Sequence, residues 1–384
     1  MISNELIDAE FPQRSDVVHL NHAGVSPWPA RTGRAIKDFA DENVVHGPAA
    51  YTRWVEKETT LRKQLQALIN APSTDDIALV KNTSEGLSMI AGGLDWREGD
   101  NIVSSDQEFP SNRIVWEALR ARGVALRQAG LYSAASPEDA LFSQVDERTR
   151  MIAISSVQYA SGLRMDLERI GAFCRDHGLL FCIDAIQSLG ALPLDAQAIH
   201  ADFVVADGHK WLLAPEGLAV FYVREAARER LHPTQFGWHM VEHAGDYDRQ
   251  DWRPAASARR YECGSPNMLG IHGLSASLSL LLECGLGEVR RRVLDNSDYL
   301  RGKLGAVPGI TLVSDPSPTR QSGIVAFRHA RISPGQLHRG LMRAHVLCAL
   351  RGGAVRFSPH FYTPRERMDH AVGCVAAICE SPAC

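Results

Sequence analysis

Five short runs in this chain are almost continuously apolar: residues 77–80, 101–104, 151–154, 179–183 and 202–205. Strands exposed on one face alternate polar with apolar, so unbroken hydrophobicity means burial on both faces and points to a parallel sheet covered by helices. Helix-like stretches fall between the runs, at 84–91, 112–122 and 167–177. This alternation predicts a doubly wound α/β domain with a mostly parallel sheet. A further strand at 218–223 follows its predecessor too closely for a crossover helix and is expected to be antiparallel. Residues 232–260 read as long loops rich in Trp, His and Pro, and loops of that length are usually functional. A long helix is expected from 271 to 284, continuing through Gly285 to 304. Short strands at 310–313, 323–327 and 354–357 then suggest a smaller α+β domain. The expected division is a large domain over 20–270 and a small one from 1–19 with 271–384.

With 384 residues, 45% of them hydrophobic, the chain can build a large core, and two domains are expected. The net charge of −4 is interspersed, with no basic block for nucleic acid and no apolar run of membrane-spanning length. The N-terminus is acidic and lacks the apolar stretch of a signal peptide. Eight cysteines are scattered without a Cys-x-x-Cys, as in a reduced, cytoplasmic protein, and Cys384 at the terminus reads as incidental. His239-Met240-Val241-Glu242-His243 fits a zinc-protease pattern, but the Pro, Gly and Asp around it argue against the helix that pattern needs, and no metal is expected.

Chemistry gathers at the ends of the apolar runs. Lys210 follows 202–205 by a few residues, in Asp207-Gly208-His209-Lys210-Trp211. Open α/β sheets bind ligands at the carboxyl ends of their strands, and a desolvated lysine there can form a Schiff base with a carbonyl. Pyridoxal phosphate needs such a lysine, an acid for its pyridine nitrogen, an anion site for its phosphate and a flat group against its ring. Asp184, ending the run 179–183, suits the nitrogen, although a helix N-cap would also explain it. Thr83 and Ser84, in Asn82-Thr83-Ser84-Glu85-Gly86, sit where a helix starts and suit the phosphate, although a plain capping box is the alternative. Phe109, just beyond 101–104, can stack on the ring, or could simply be core.

Taken together these motifs resemble the class V aminotransferases, the pyridoxal-phosphate family that includes cysteine desulfurases. Asp184-Ala185-Ile186-Gln187 is similar to the family's Asp-x-x-Gln, and Gly208-His209-Lys210 to its Schiff-base signature. Thr83-Ser84-Glu85-Gly86 is similar to its phosphate-binding Thr-Thr-Glu-Gly, and residues 260–267 to Arg-Phe-Glu-x-Gly-Thr-Pro-Asn. The resemblance implies the fold-type I transferase fold, with Lys210 carrying pyridoxal phosphate and Asp184 on the pyridine nitrogen. It places Gln187 or Tyr159 on the phenolic oxygen, and Thr83, Ser84 and His209 on the phosphate. Ser265 would reach the phosphate of a second subunit, which implies a homodimer. Arg356 would grip the carboxylate of a small amino-acid-like substrate, as guanidinium does well. His22 could assist from the site mouth.

Three departures from the family shape the expected function. Cys348 is the only cysteine near Arg356, in an apolar strand-like run rather than a mobile loop, so persulfide chemistry is disfavoured. Phe109 replaces a histidine, leaving Cα proton transfer to Lys210. Asp207 stands where the family often has a phosphate-contacting serine, and a carboxylate there would repel the phosphate unless it turns away or pairs with a cation. The expectation is an aminotransferase, with a C–S lyase or epimerase as alternatives and a cysteine desulfurase less favoured. A non-catalytic binding protein on the same fold is the non-enzyme alternative. Trp238 and Trp252 in the long loop suggest a substrate larger than alanine.

Overall fold

A computed structural model describes residues 2–14 and 16–380. Cys384 lies outside the described residues. The large sheet has seven strands: β1 (Ile77–Val80), β2 (Asn101–Ser105), β3 (Ala125–Ala129), β4 (Thr149–Ser155), β5 (Leu180–Asp184), β6 (Phe203–Asp207) and β7 (Ala219–Val223). Their spatial order is β1-β7-β6-β5-β4-β2-β3. Every neighbouring pair is parallel except those made by β7, which runs antiparallel to both β1 and β6, as its short connection required. Strand β3 was not foreseen. It is an edge strand, and the sequence Ala-Leu-Arg-Gln-Ala is only partly buried, so it lacks the continuous apolar signature of the inner strands.

Both sheet faces are covered. On one, Leu61, Leu65 and Leu68 from α2 (Tyr51–Ile69) pack with Ile152, Ile183 and Val204 of the sheet. On the other, Leu87 and Ile90 from α3 (Thr83–Gly93) join Trp116 over Ala153, Val205 and Phe221. The helix start at Thr83 comes close to β6 because residue 86 is glycine: a Cβ there would sit 2.8 Å from a Val205 methyl. This contact draws the first turn of α3 toward the strand that leads to Lys210.

The expected long helix is two helices, α4 (Met268–Cys284) and α5 (Leu286–Gly305), bent by 85°. Gly285 has φ +77°, outside the right-handed helical region, so the apolar pattern runs on while the backbone turns. Ile271, Leu274 and Leu278 of α4, with Val289 and Val293 of α5, belong to the core under the large sheet, not to the small domain expected from residue 271.

The small domain has its own core, in which Leu300 and Leu304 meet Val325, Phe327, Val355 and Phe357. Its antiparallel sheet runs in the order β10 (Ala349–Arg351), β11 (Ala354–Phe357), β9 (Val325–His329), β8 (Ile310–Leu312). Val18 and Leu20 join this core, and residues 18–19 pair in parallel with residues 346–347. The segment from His239 to His243 consists of turns and one isolated bridge, not helix.

Candidate active site

The parallel strands aim their carboxyl ends at one place, and chemistry collects there. Asp184 is the last residue of β5, paired in register with Val205 of the adjacent β6, and Lys210 follows β6 by three residues. Phe109 lies beyond β2, Tyr159 beyond β4 and Thr83 beyond β1. Lys210 is 9% exposed, and its Nζ lies 5.5 Å from the centroid of the Phe109 ring. Phe109 meets Tyr159 edge to face at 5.2 Å. The carbonyl of Tyr159 accepts a 2.6 Å hydrogen bond from Nη1 of Arg356 in β11. The fold therefore joins Lys210, Phe109, Tyr159 and Arg356 in one chain of contacts between the two domains.

Burial sets the electrostatics. It pushes the Lys210 ammonium below the usual lysine range against the pull of Asp184, and the charge of Arg356 adds to the fall. Burial raises the Asp184 carboxyl, with Glu108 adding to the rise. Asp184 accepts a hydrogen bond from the Ile186 amide at 3.0 Å, and no described cation lies within ion-pair distance. Arg356 is 1% exposed without a carboxylate partner; its Nε is buried and unpaired, and burial pushes its pKa down to about 9. A buried guanidinium left so incomplete can receive an anion.

The anion site at α3 has the same character. Asn82 caps the helix by accepting from the Glu85 amide at 2.9 Å. Thr83 Oγ1 is buried without a partner, and Ser84 Oγ donates to Ser111 Oγ at 2.8 Å. His209 Nδ1 lies 3.0 Å from Asp207 Oδ1, both atoms buried and not aligned as a hydrogen bond. Asp207 thus faces the His209 ring, the only described cation candidate beside it. These buried, incomplete groups fit pyridoxal phosphate: Thr83 and the α3 amides for the phosphate, Asp184 for the ring nitrogen, Lys210 for the aldehyde carbon.

One expected site residue, His22, sits differently, and Gln187 and Ser265 are placed as follows. His22 is fully buried, not at a site mouth. Its Nδ1–H donates to the Ser358 carbonyl at 2.8 Å, and its Nε2 accepts from Tyr362 Oη at 2.7 Å. Gln187 Oε1 accepts from Trp211 Nε1, and Gln187 Nε2 donates to the Ala23 carbonyl, both at 3.0 Å; one amide N–H is left for other use. Ser265 is exposed and lines a separate cleft with Lys81, Glu85 and Asn267, away from Lys210 of its own chain.

One residue escaped the sequence reading. Glu108 is buried and accepts hydrogen bonds from Ser105 Oγ, Asn112 Nδ2, Gln158 Nε2 and the amide and hydroxyl of Ser155. It ties the ends of β2 and β4 together, one residue before Phe109. An acid next to the stacking residue at a strand end was the available signal.

Comparisons with known proteins bear on the family and the fold. Residues 18–363 match the family profile described as aminotransferase class-V. A probable cysteine desulfurase of Methanothermobacter thermautotrophicus is 31% identical over 95% of both chains. A cysteine desulfurase of Escherichia coli O127:H6 is 31% identical over 85% of this chain and 82% of its own. Among solved structures, a complex of the cystine C–S lyase C-DES with cysteine persulfide superposes with a TM-score of 0.89 at 23% identity, covering 96% of this chain and 99% of the other. The apo cysteine desulfurase of Thermococcus onnurineus superposes with a TM-score of 0.88, also at 23% identity, covering 98% of both chains. This chain belongs to the class V aminotransferase family. It is a pyridoxal-phosphate-dependent enzyme of the cysteine desulfurase-like branch, with the mixed α/β fold of that group.

Proposed function

We propose that the protein is a C–S lyase, cleaving the Cβ–S bond of a cysteine conjugate by β-elimination. One observation carries the reading: among the described residues, the cysteine near Arg356 is unfit to be a persulfide carrier. Cys348 is 5% exposed between two short strands, and burial pushes its thiol up to about 12. The curated relatives are named for taking sulfur from cysteine, which points to C–S chemistry. Without an acceptor thiol, the sulfur must leave with the rest of the side chain.

Bound pyridoxal phosphate supplies an electron sink for the Cα carbanion. The protein supplies the rest. Arg356 takes the substrate carboxylate on its free Nε edge and fixes the Cα–H bond. The Lys210 amine would take the Cα proton; burial lowers its pKa, which keeps more of it neutral at physiological pH. Asp184 would hold a proton at the pyridine nitrogen of the bound group. Phe109 covers the site and, having no titratable atom, leaves Lys210 as the acid and base. The Cα–H and Cβ–S bonds break, and sulfur departs with the bonding pair and takes a proton. The released aminoacrylate adds water to give pyruvate and ammonium.

The test is a product assay of the holoenzyme with S-alkyl cysteines. Pyruvate, ammonium and thiol should appear in equal amounts with no keto acid added. Turnover only when a keto acid is supplied would establish transamination instead, and alanine with a protein-bound persulfide would establish a desulfurase.

A further inference from the structure

A cleft of about 730 Å³ opens between the large domain and the segment that joins β8 to β9. That volume lies within the range that holds small ligands. Its walls include none of Lys210, Asp184, Phe109 or Arg356, so it is separate from the site described above. Leu68, Val157, Met165, Leu192, Leu194 and Ile199 give it an apolar interior, each less than a tenth exposed.

The polar groups of the cleft divide into a part already satisfied and a part that is not. Ser156 Oγ and Ser188 Oγ lie 2.7 Å apart, and they donate to the Asp184 and Ala185 carbonyls, each at 3.2 Å. Two hydroxyl protons serve these three contacts, so none is left for an anion. The arginines are different. Arg320 spends its charge on Glu138, with Nη1 and Nη2 donating at 2.7 and 2.6 Å. Arg164 is half-buried and held by backbone: its Nε donates to the Thr319 carbonyl at 3.0 Å and its amide to the Arg320 carbonyl at 3.0 Å. Its two terminal nitrogens make no hydrogen bond among the described residues. Arg290, in the second turn of α5, is exposed, and no described carboxylate lies within ion-pair distance of it or of Arg164. Burial lowers the Arg164 pKa, and the charges of Arg290 and Arg320 lower it further, so the guanidinium groups repel one another across the cleft. Asp166 pulls the other way from beyond ion-pair distance.

The acids along the walls do not neutralise this charge. Asp166 accepts the Arg169 amide at 3.1 Å as a helix cap. Asp195 accepts from Asn70 Nδ2 and from the amides of Gln197 and Ala198. Glu168 is exposed in the first turn of the helix Leu167–Asp176.

We propose that this cleft binds a small amphiphile, its apolar body against the leucine and isoleucine walls and one anionic head, carboxylate or phosphate, on Arg164 and Arg290. A neutral apolar ligand would leave the two guanidinium groups in mutual repulsion, and a cation would add to it. A bare anion would leave the apolar interior unfilled. A planar fork with a free edge suits either head group. The assignment does not depend on which substrate bond the enzyme breaks.

The experiment is calorimetric titration of the holoenzyme with octanoate, octyl phosphate and 1-octanol. At least one of the two anions should bind about tenfold or more tightly than octanol, the scale of one good charged contact, and the tighter one identifies the head group. Arg290→Gln should weaken that anion about fivefold and leave octanol within about twofold. Arg164→Gln should do the same. Arg290 makes no contact that the fold needs, so its variant keeps the test decisive even if Arg164→Gln melts lower. Ala67→Trp, on the exposed lip of the cleft, should block all three ligands. Equal binding of octanol and both anions would overturn the anion site, and absence of heat with every ligand at millimolar concentration would overturn the cleft. Because Arg356 can also receive a carboxylate, Arg356→Met is the control. Binding lost there and kept in Ala67→Trp would place the anion beside Lys210 and overturn the proposal.

Discussion

The two sides of the site are built on opposite principles. On the large domain, Lys210, Asp184, Phe109 and Thr83 each sit within a few residues of a buried strand, and rigid backbone places them. On the small domain, Arg356 and Arg351 ride on a hairpin whose other face is core, and charge rather than backbone defines what they want. On the proposed reading, one side is a scaffold for a cofactor and the other a cationic wall for substrate. The scaffold side tolerates little chemical change, whereas the cationic side trades stability for binding.

The sharpest break in that contrast is at Lys210. Lys210→Ala should abolish turnover and remove the borohydride-reducible adduct between cofactor and protein. Residual activity, or an adduct still formed, would displace Lys210 from the centre of the site. Next in size is Arg356→Met. Losing one side of a buried charged contact should lower kcat/KM by about 2–5 kcal/mol, roughly thirty-fold to several thousand-fold. The same change should raise the melting temperature of the cofactor-free protein, because an unpaired buried charge is a cost that an apolar side chain of similar length removes. A lower melting temperature would show Arg356 to be a structural member of the hairpin and would erase the distinction between the two sides.

A third region joins the two sides and has a titration of its own. His19, His22 and His360 cluster where the N-terminal segment meets the small domain, with ring centroids 4.6 and 5.2 Å apart. His360 donates through Nε2 to the Trp211 carbonyl at 3.1 Å and accepts the Phe361 amide at 2.8 Å, so the cluster holds the residue next to Lys210. Burial lowers His19 and His360 to about 4 and His22 well below the usual range. All three are neutral in the folded state and charge more readily when unfolded. Between pH 6.5 and about 4 the unfolded chain binds more protons, so stability is lost as pH falls through that window. The slope is roughly 1.4 kcal/mol per pH unit for each histidine that stays neutral in the fold. Urea midpoints measured across this range should show the loss, and His360→Gln should flatten it. A flat profile in the native protein would mean that these rings charge without unfolding.

The contrast also explains what was legible in the sequence. Lys210, Asp184, Phe109 and Thr83 stood out as candidates because each lies at the end of a buried strand or a few residues past one, and continuous hydrophobicity survives in one dimension. His22 could not be placed: Asn21-His22-Ala23 reads locally as a polar loop, while its partners Ser358 and Tyr362 lie more than 330 residues away. The turn between α4 and α5 was hidden because the apolar periodicity continues on both sides of Gly285. Arg351 looked like any surface arginine, since only the pairing register puts it on the face of Arg356.

The smallest expected effect is the one that decides between relatives. If Cys348 carried sulfur, as the desulfurase resemblance would allow, Cys348→Ala would end turnover. The hairpin context argues otherwise. The thiol is buried beside β10 with a strongly raised pKa, so almost none of it is thiolate at neutral pH, and no described cation is placed to lower it except Arg356, whose own charge is already disfavoured by burial. Truncation should cost about 1 kcal/mol of stability from lost packing. The rate of pyruvate release from an S-alkyl cysteine should stay within about twofold of the native value, a change of under 0.5 kcal/mol in the barrier. A drop of a hundredfold or more would require the thiol to reach the substrate, and the two sides of the site would then share the chemistry instead of dividing it.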